Sequence, residues 1–402
     1  MHVKTKPKVV VLGTMSKMPV AGIVFITVQY LIGLKRLGFD AYYVEAHART
    51  PSMFMTEGDG GNASALAAAF IRDVMRRFDL GEDHWAFQAL HDDGTCYGLS
   101  EEALARLYRD AALIFNLHGA TVPRPEHYET GRLVYIGTDP VAHEVEVHQG
   151  VQDTIAYLEP HCAFFTWGEN YGNSDCGVPP CDPFEFIPTR QPIVMDLWES
   201  FRDGPADAYT TIGNWRQLRP VTLKGEVYQW SKHDEFLKFI DLPLRSGQRF
   251  ELALSSFDNE DHRVLTANGW QVRESLRFTT DLDAYRKYIG GSKGEFTVAK
   301  DQNVRLRSGW FSDRSASYLA CGRPVITQET GFSNILPTGD GLFAFSTIED
   351  IEDALVRIDR DYARHCAAAS KIARECFDYR VVLSAMLDHL ASKPAPAQGV
   401  AS

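Results

Sequence analysis

Cysteine is scarce in this sequence, seven in 402 residues and odd in number. That density excludes a disulfide-stapled secreted scaffold and makes reduced thiols in a cytoplasmic protein the expectation. Basic residues are also short, 41 Lys and Arg against 53 Asp and Glu, for a formal net charge of −12. So acidic a chain has no surplus to neutralise a run of phosphates or to dock on an anionic bilayer, so neither nucleic acid nor a membrane surface is an expected partner. Long apolar runs are missing too. The seventeen residues Met18–Leu34 carry no formal charge, but Pro19, Gly22, Gln29 and Gly33 interrupt them. Their length is at the lower limit for a membrane span, so a buried first helix is expected and no transmembrane segment. Lys17 breaks the apolar region a signal peptide would need.

Two further absences concern chemistry. No GxGxxG follows the first strand-like run, which disfavours a nicotinamide or flavin fingerprint. No metal set is complete: Cys176 and Cys181 lack a second pair, and His143 and His148 are five apart, whereas HExxH spaces its histidines by four.

What is present is ordinary globular composition, 45% apolar, 23% charged and 11% aromatic. Short apolar runs alternate with amphipathic stretches. Val9–Leu12, Ala41–Val44, Leu113–Leu117, Leu133–Ile136 and Ala163–Thr166 read as strands. Between them, Asn62 opens a helix carrying Leu66, Phe70, Ile71, Val74 and Phe78, and Ser100-Glu101-Glu102 opens another. Pro188–Pro192 reads as an extended hinge. A second series then runs Tyr209–Ile212, Glu251–Ser255, Phe296–Ala299, Pro324–Thr327 and Leu342–Phe345, with helices near Asp281–Ile289, Asp313–Ala320 and Ile348–Ile358. A helical stretch from Tyr362 to Leu390 precedes a Pro/Ala/Gly/Ser tail that is expected to be disordered. The division expected is 1–195, 196–376, and 377–402 as a closing helix and tail. Alternating β and α elements in each half imply an α/β fold with parallel sheets and a ligand cleft between the halves.

Three segments point at that cleft. Gly13 ends the first strand and Gly22 opens the first helix, so this loop allows close approach of a ligand. His118, Asp139 and Glu169 lie at or just beyond expected strand ends, which face the cleft, and are the acid/base candidates. In the run Ser308–Ile326, Ser312 and Asp313 are placed to cap a helix, with Arg314 and Ser315 beside them. An exposed helix start with a guanidinium suits a diphosphate.

The stretch Gly309 to Leu387, above all Tyr318-Leu-Ala-Cys-Gly-Arg-Pro-Val-Ile326, resembles the carboxy-terminal region of GT-B glycosyltransferases. These are the "glycosyl transferases group 1" set that includes spore-maturation-type proteins. Pro19–Gly22 and Leu34–Val44 are similar to that family's opening strand, loop and helix. The resemblance implies two Rossmann-like domains, the acceptor on the first and the nucleotide-diphosphate-sugar donor on the second. It implies neither a cofactor beyond that co-substrate nor an obligatory metal. On the donor side it adds Trp215, Lys232, Lys300, Thr330 and Gly331. One departure stands out: the family's glutamate before A-M-A-x-G, often a ribose ligand, is Ser317 here, which leaves either Asp313 as its substitute or a different mode of ribose recognition. Glycosyl transfer is the expected activity, with a GT-B epimerase or a non-catalytic nucleotide-sugar binder as alternatives.

Overall fold

The computed structural model describes residues 5–46, 63–90, 94–201 and 207–392. Asn62 and the tail 393–402 lie outside them. The first half builds one sheet of eight strands. They are β1 Lys8–Leu12, β2 Asp40–Glu45, β3 Trp85–Gln88, β4 Cys96–Gly98, β5 Leu113–Leu117, β6 Leu133–Gly137, β7 Ala163–Thr166 and β8 Phe186–Pro188. Their order is β4-β3-β2-β1-β5-β6-β7-β8, parallel apart from the β3–β4 pair. Strands β1, β5, β6 and β7 are buried almost throughout, because helices cover both faces.

The second half opens with β9 Ala208–Asn214 and a hairpin, β10 Val221–Leu223 and β11 Glu226–Tyr228. It continues with β12 Arg249–Ser255, β13 Gln271–Glu274, β14 Gly294–Thr297, β15 Val325–Gln328 and β16 Leu342–Phe345. The six-stranded sheet is parallel in the order β13-β12-β9-β14-β15-β16. Strand order reverses between β1 and β5 in one sheet and between β9 and β14 in the other, which is where open α/β sheets hold ligands. Strand β14 begins two residues before the expected Phe296, and the chain beyond it turns out of the ladder, with the Ala299 amide bonded to Gln328 Oε1 at 3.2 Å.

The uncharged segment is the first helix, Ala21–Arg36, and twelve of its sixteen residues are buried. It belongs to one apolar cluster with Tyr285, Ile289, Ala316 and Leu319 of the second half and Leu383 and Met386 near the carboxyl end. A helix covered on every side has no solvated face on which to carry charge. Before the last turn, with its exposed Lys35 and Arg36, the long polar side chain of Gln29 is spent inside: its Oε1 accepts from the Val194 amide at 3.0 Å and from Trp198 Nε1 at 2.9 Å. No helix of the described residues is long and apolar enough to cross a membrane. In the next helix, Ala63–Arg77, Leu66 is exposed although its spacing placed it on the buried face.

The carboxyl end departs from the single helical stretch expected. Helix Tyr362–Ile372 passes through a wide turn at Ala373–Phe377, and a separate helix follows, Tyr379–Ser392. That closing helix packs on the first half: a Cβ at Gly33 would lie 2.6 Å from Leu383 Cδ1. The chain therefore crosses between halves twice. The crossings run side by side, Ile193 N donating to Phe377 O at 2.7 Å and Tyr379 N to Ile193 O at 2.9 Å. The Pro188–Pro192 segment is tied down too, with Gln191 Nε2 donating to Ser312 O at 3.1 Å.

Candidate active site

A cavity of about 340 Å³ opens between the two sheets, within the usual size of a small-molecule site. Loops at the carboxyl ends of both sheets and the start of the first helix line it. From the first half come Met18, Gly22, Ile23, His118, Thr138 and Asp139. The second half supplies Trp230, Lys232, Lys300, Trp310, Ser312 and Asp313.

His118 follows β5 with φ of 62°, a left-handed conformation uncommon for a side-chain-bearing residue. Its Nδ1 lies 2.8 Å from Thr138 Oγ1, while Nε2 has no partner among the described residues. Burial pulls the imidazole down to about 4, so it is neutral at pH 7. Asp139 follows β6. Its Oδ2 accepts from Trp230 Nε1 at 2.6 Å and from the Lys300 ammonium, both across the cleft, and its Oδ1 is unpartnered.

The two lysines come from different loops of the second half. Lys300 follows β14 and sits 3.8 Å from the centroid of the Trp230 ring. Burial holds its amine below the ordinary value although Asp139 pulls the other way. Lys232 is 8% exposed, lies 5.5 Å from the centroid of Trp310, and has no ion-pair partner among the described residues. Burial, reinforced by Arg314 and Lys300, pulls its amine well below the usual range. Burial also raises the carboxyl of Asp313.

Several sequence expectations are corrected. Arg314 touches the cleft but is not an exposed grip on it. Its Nε donates to Glu295 Oε1 at 2.6 Å, and its terminal nitrogens donate to Thr297 Oγ1 at 3.2 Å and to the Ile212 carbonyl. It ties the helix Asp313–Ala320 to β9 and β14. Ser312 stands at the N-cap, yet its side chain makes no capping bond. Ser315 is fully buried and lies off the cleft. Trp215 packs in the second-half core, its ring 5.6 Å from that of Phe236, so it presents no stacking face to a ligand. Thr330 and Gly331 are taken up by packing: Thr330 Oγ1 donates to Trp310 O at 2.7 Å within the second half, and Gly331 lies at the joint between halves, where a Cβ would collide with Asn170. Glu169 is neither at the cleft nor solvated. It is a buried ion pair with Arg190 Nε at 2.7 Å, and burial outweighs that cation to push its carboxyl up to about 7. Gly13 fits against Tyr43, where a Cβ would come within 2.8 Å of the ring; Gly22 does line the cleft.

Trp230, Trp310 and Glu295 were not anticipated. Trp230 stands two residues from Lys232, just past the β10–β11 hairpin, and Trp310 lies inside the Ser308–Ile326 run. Neither position carries a local pattern that separates a cleft aromatic from a core one. For metals, no group of three or more His, Cys, Asp or Glu is gathered among the described residues. His143 Nδ1 instead bonds Tyr135 OH at 2.6 Å.

Two Rossmann-like sheets with a cleft at both switch points, and a closing helix returned to the first half, match solved structures along nearly the whole chain. The chain has the GT-B fold. Anabaena HepE in complex with UDP and glucose aligns with a TM-score of 0.53 at 12% identity, covering 96% of this chain and 100% of that one. Sucrose-phosphate synthase from Thermosynechococcus elongatus aligns at 0.51 and 10% identity, over 96% and 98%. An alpha-glucosyltransferase in complex with UDP and DNA aligns at 0.55 and 8% identity, over 96% and 100%. No protein-family model and no curated protein matches the sequence. GT-B architecture is thus carried by shape here, at identities too low to transfer a residue's role.

Proposed function

We propose that this protein transfers a glycosyl group from a nucleoside-diphosphate sugar to a second substrate, without a metal. The observation that carries this reading is the convergence of Lys232 and Lys300 on one cleft at the start of the helix Asp313–Ala320, opposite His118 and Asp139. The same architecture in HepE holds UDP-glucose.

In this reading the diphosphate lies between the two lysines and the start of the helix Asp313–Ala320. Cations and a helix dipole there offset charge that builds on the departing nucleoside diphosphate. Asp313 takes ribose hydroxyls, because Ser317 is spent on its own helix, donating to Asp313 O at 3.0 Å. The acceptor enters along Met18, Gly22 and Ile23. Asp139 receives its proton through Oδ1, and neutral His118 hydrogen-bonds the sugar through Nε2.

Thermal-shift measurements with UDP-, GDP-, TDP- and ADP-sugars test the reading. One donor class should raise the midpoint by mass action, and release of nucleoside diphosphate should follow when acceptor is added. Lys232→Ala should lower donor affinity by about tenfold or more, with the fold intact. A panel without any shift would sink the proposal, and binding without turnover would reduce the protein to a nucleotide-sugar binder.

A further inference from the structure

The charged groups around the cleft nearly cancel before any ligand arrives. Arg314 is matched by Glu295 and Lys300 by Asp139. His118 is neutral. What is left is Lys232, whose amine faces Arg314 and Lys300 as like charges and Glu295 and Asp313 as opposite ones. Glu295 is already committed to Arg314, and burial favours the protonated form of Asp313. On its own short helix the neighbours are His233, Asp234 and Glu235. The first is paired with Asp234 at 3.0 Å, while Glu235 is held by Lys238 at 2.6 Å. Among the described residues, only the Trp310 ring, at 5.5 Å, offers the amine a face favourable to a cation.

An ammonium at Lys232 would thus be a desolvated cation, without a carboxylate partner among the described residues, beside two further cations. Such a group sheds its proton until an anion arrives. A diphosphate seated in the cleft supplies that anion, and with it the reason to hold the proton.

We propose that binding of a nucleoside diphosphate in this cleft is coupled to uptake of one proton by the Lys232 amine. This deepens the nucleotide-sugar reading and rests on it. The balance is simple: Lys232 passes from –NH2 to –NH3+, the proton comes from solvent, and no covalent bond to the ligand forms. Affinity therefore falls as pH rises above the value at which the empty site loses its proton. The slope is about tenfold per pH unit until the bound form deprotonates as well.

The test is titration calorimetry with the tightest binder among UDP, GDP, ADP and dTDP, in buffers of different ionisation enthalpy. Working at about pH 8.5 keeps the terminal phosphate, whose second pKa is about 6, fully ionised and silent. The protein should take up about one proton per nucleotide, and Lys232→Arg, charged at every accessible pH, should bind with uptake near zero. Nucleotide binding by the unaltered protein with less than about a fifth of a proton taken up, or with affinity flat between about pH 7 and 9, overturns the proposal. So does an uptake that survives in Lys232→Arg. Should that variant not fold, the unaltered protein's buffer dependence and pH slope still decide. Absence of binding by all four nucleotides overturns the nucleotide reading itself, an outcome distinct from binding without uptake.

Discussion

Arg314–Glu295 and Lys300–Asp139 are both cation–carboxylate pairs on the walls of one cleft, yet they are built differently. Arg314 and Glu295 belong to the same half, at 10% and 0% side-chain exposure, and three acceptors surround the guanidinium. Lys300 and Asp139 come from opposite halves, and the carboxylate is 31% exposed. The first pair is closed and joins a helix to two strands. The second is open, and either member can exchange its partner for a ligand. Burial of the carboxylate, and whether both partners come from one half, separate scaffold from working site more sharply than residue type does.

The comparison breaks most readily at its rigid end. Arg314→Ala strands Glu295 as a buried, uncompensated charge and should cost about 3–5 kcal/mol in chemical denaturation. A loss below about 1 kcal/mol would mean that the pair is no strut. Lys300→Ala should leave stability within about 1 kcal/mol, because its partner is partly solvated. It should instead weaken nucleoside diphosphate binding by about tenfold, measured by calorimetry; the reverse pattern would exchange the roles of the two pairs.

A third pair sharpens the contrast through pH. Glu169 is buried against Arg190, with its carboxyl pushed up from 4.5 to about 7. In that window the folded protein holds a proton that the unfolded chain has lost, so stability falls as pH rises from about 4.5 to 7. Glu169→Gln should flatten this stretch of the stability–pH curve by about 3 kcal/mol; an unchanged slope would place the titration elsewhere. The smallest effect is expected from Trp230→Phe, which keeps the ring under Lys300 and removes only the bond to Asp139. It should shift stability by about 0.5–1.5 kcal/mol, and a double-mutant cycle with Asp139→Asn should assign that loss to the pair.

The sheets were largely legible because parallel strands covered on both faces leave short, nearly continuous apolar runs such as Val9–Leu12 and Leu133–Ile136. Edge strands were not: β13, Gln-Val-Arg-Glu, lies at the sheet margin with mostly exposed side chains and carries no apolar run. At the cleft, His118 and Asp139 were anticipated because position after a strand is a local property, and Lys232 and Lys300 from the family resemblance. Arg314 and Trp215 were misplaced because a strong hydrogen-bonding or aromatic side chain near a ligand loop looks the same whether it faces outward or inward. Only the tertiary partners, Glu295 for one and Phe236 for the other, settle the direction.

The return of the closing helix has a consequence for the order of assembly. Residues 8–188 leave the ribosome first and contain every strand of the first sheet. Even so, the Gly33 side of the first helix packs against Tyr379 and Leu383. During synthesis the amino-terminal half must therefore wait, with an apolar flank bare, until the helix Tyr379–Ser392 is made. That interval is when the chain most needs a chaperone, and removing that helix would prolong it indefinitely.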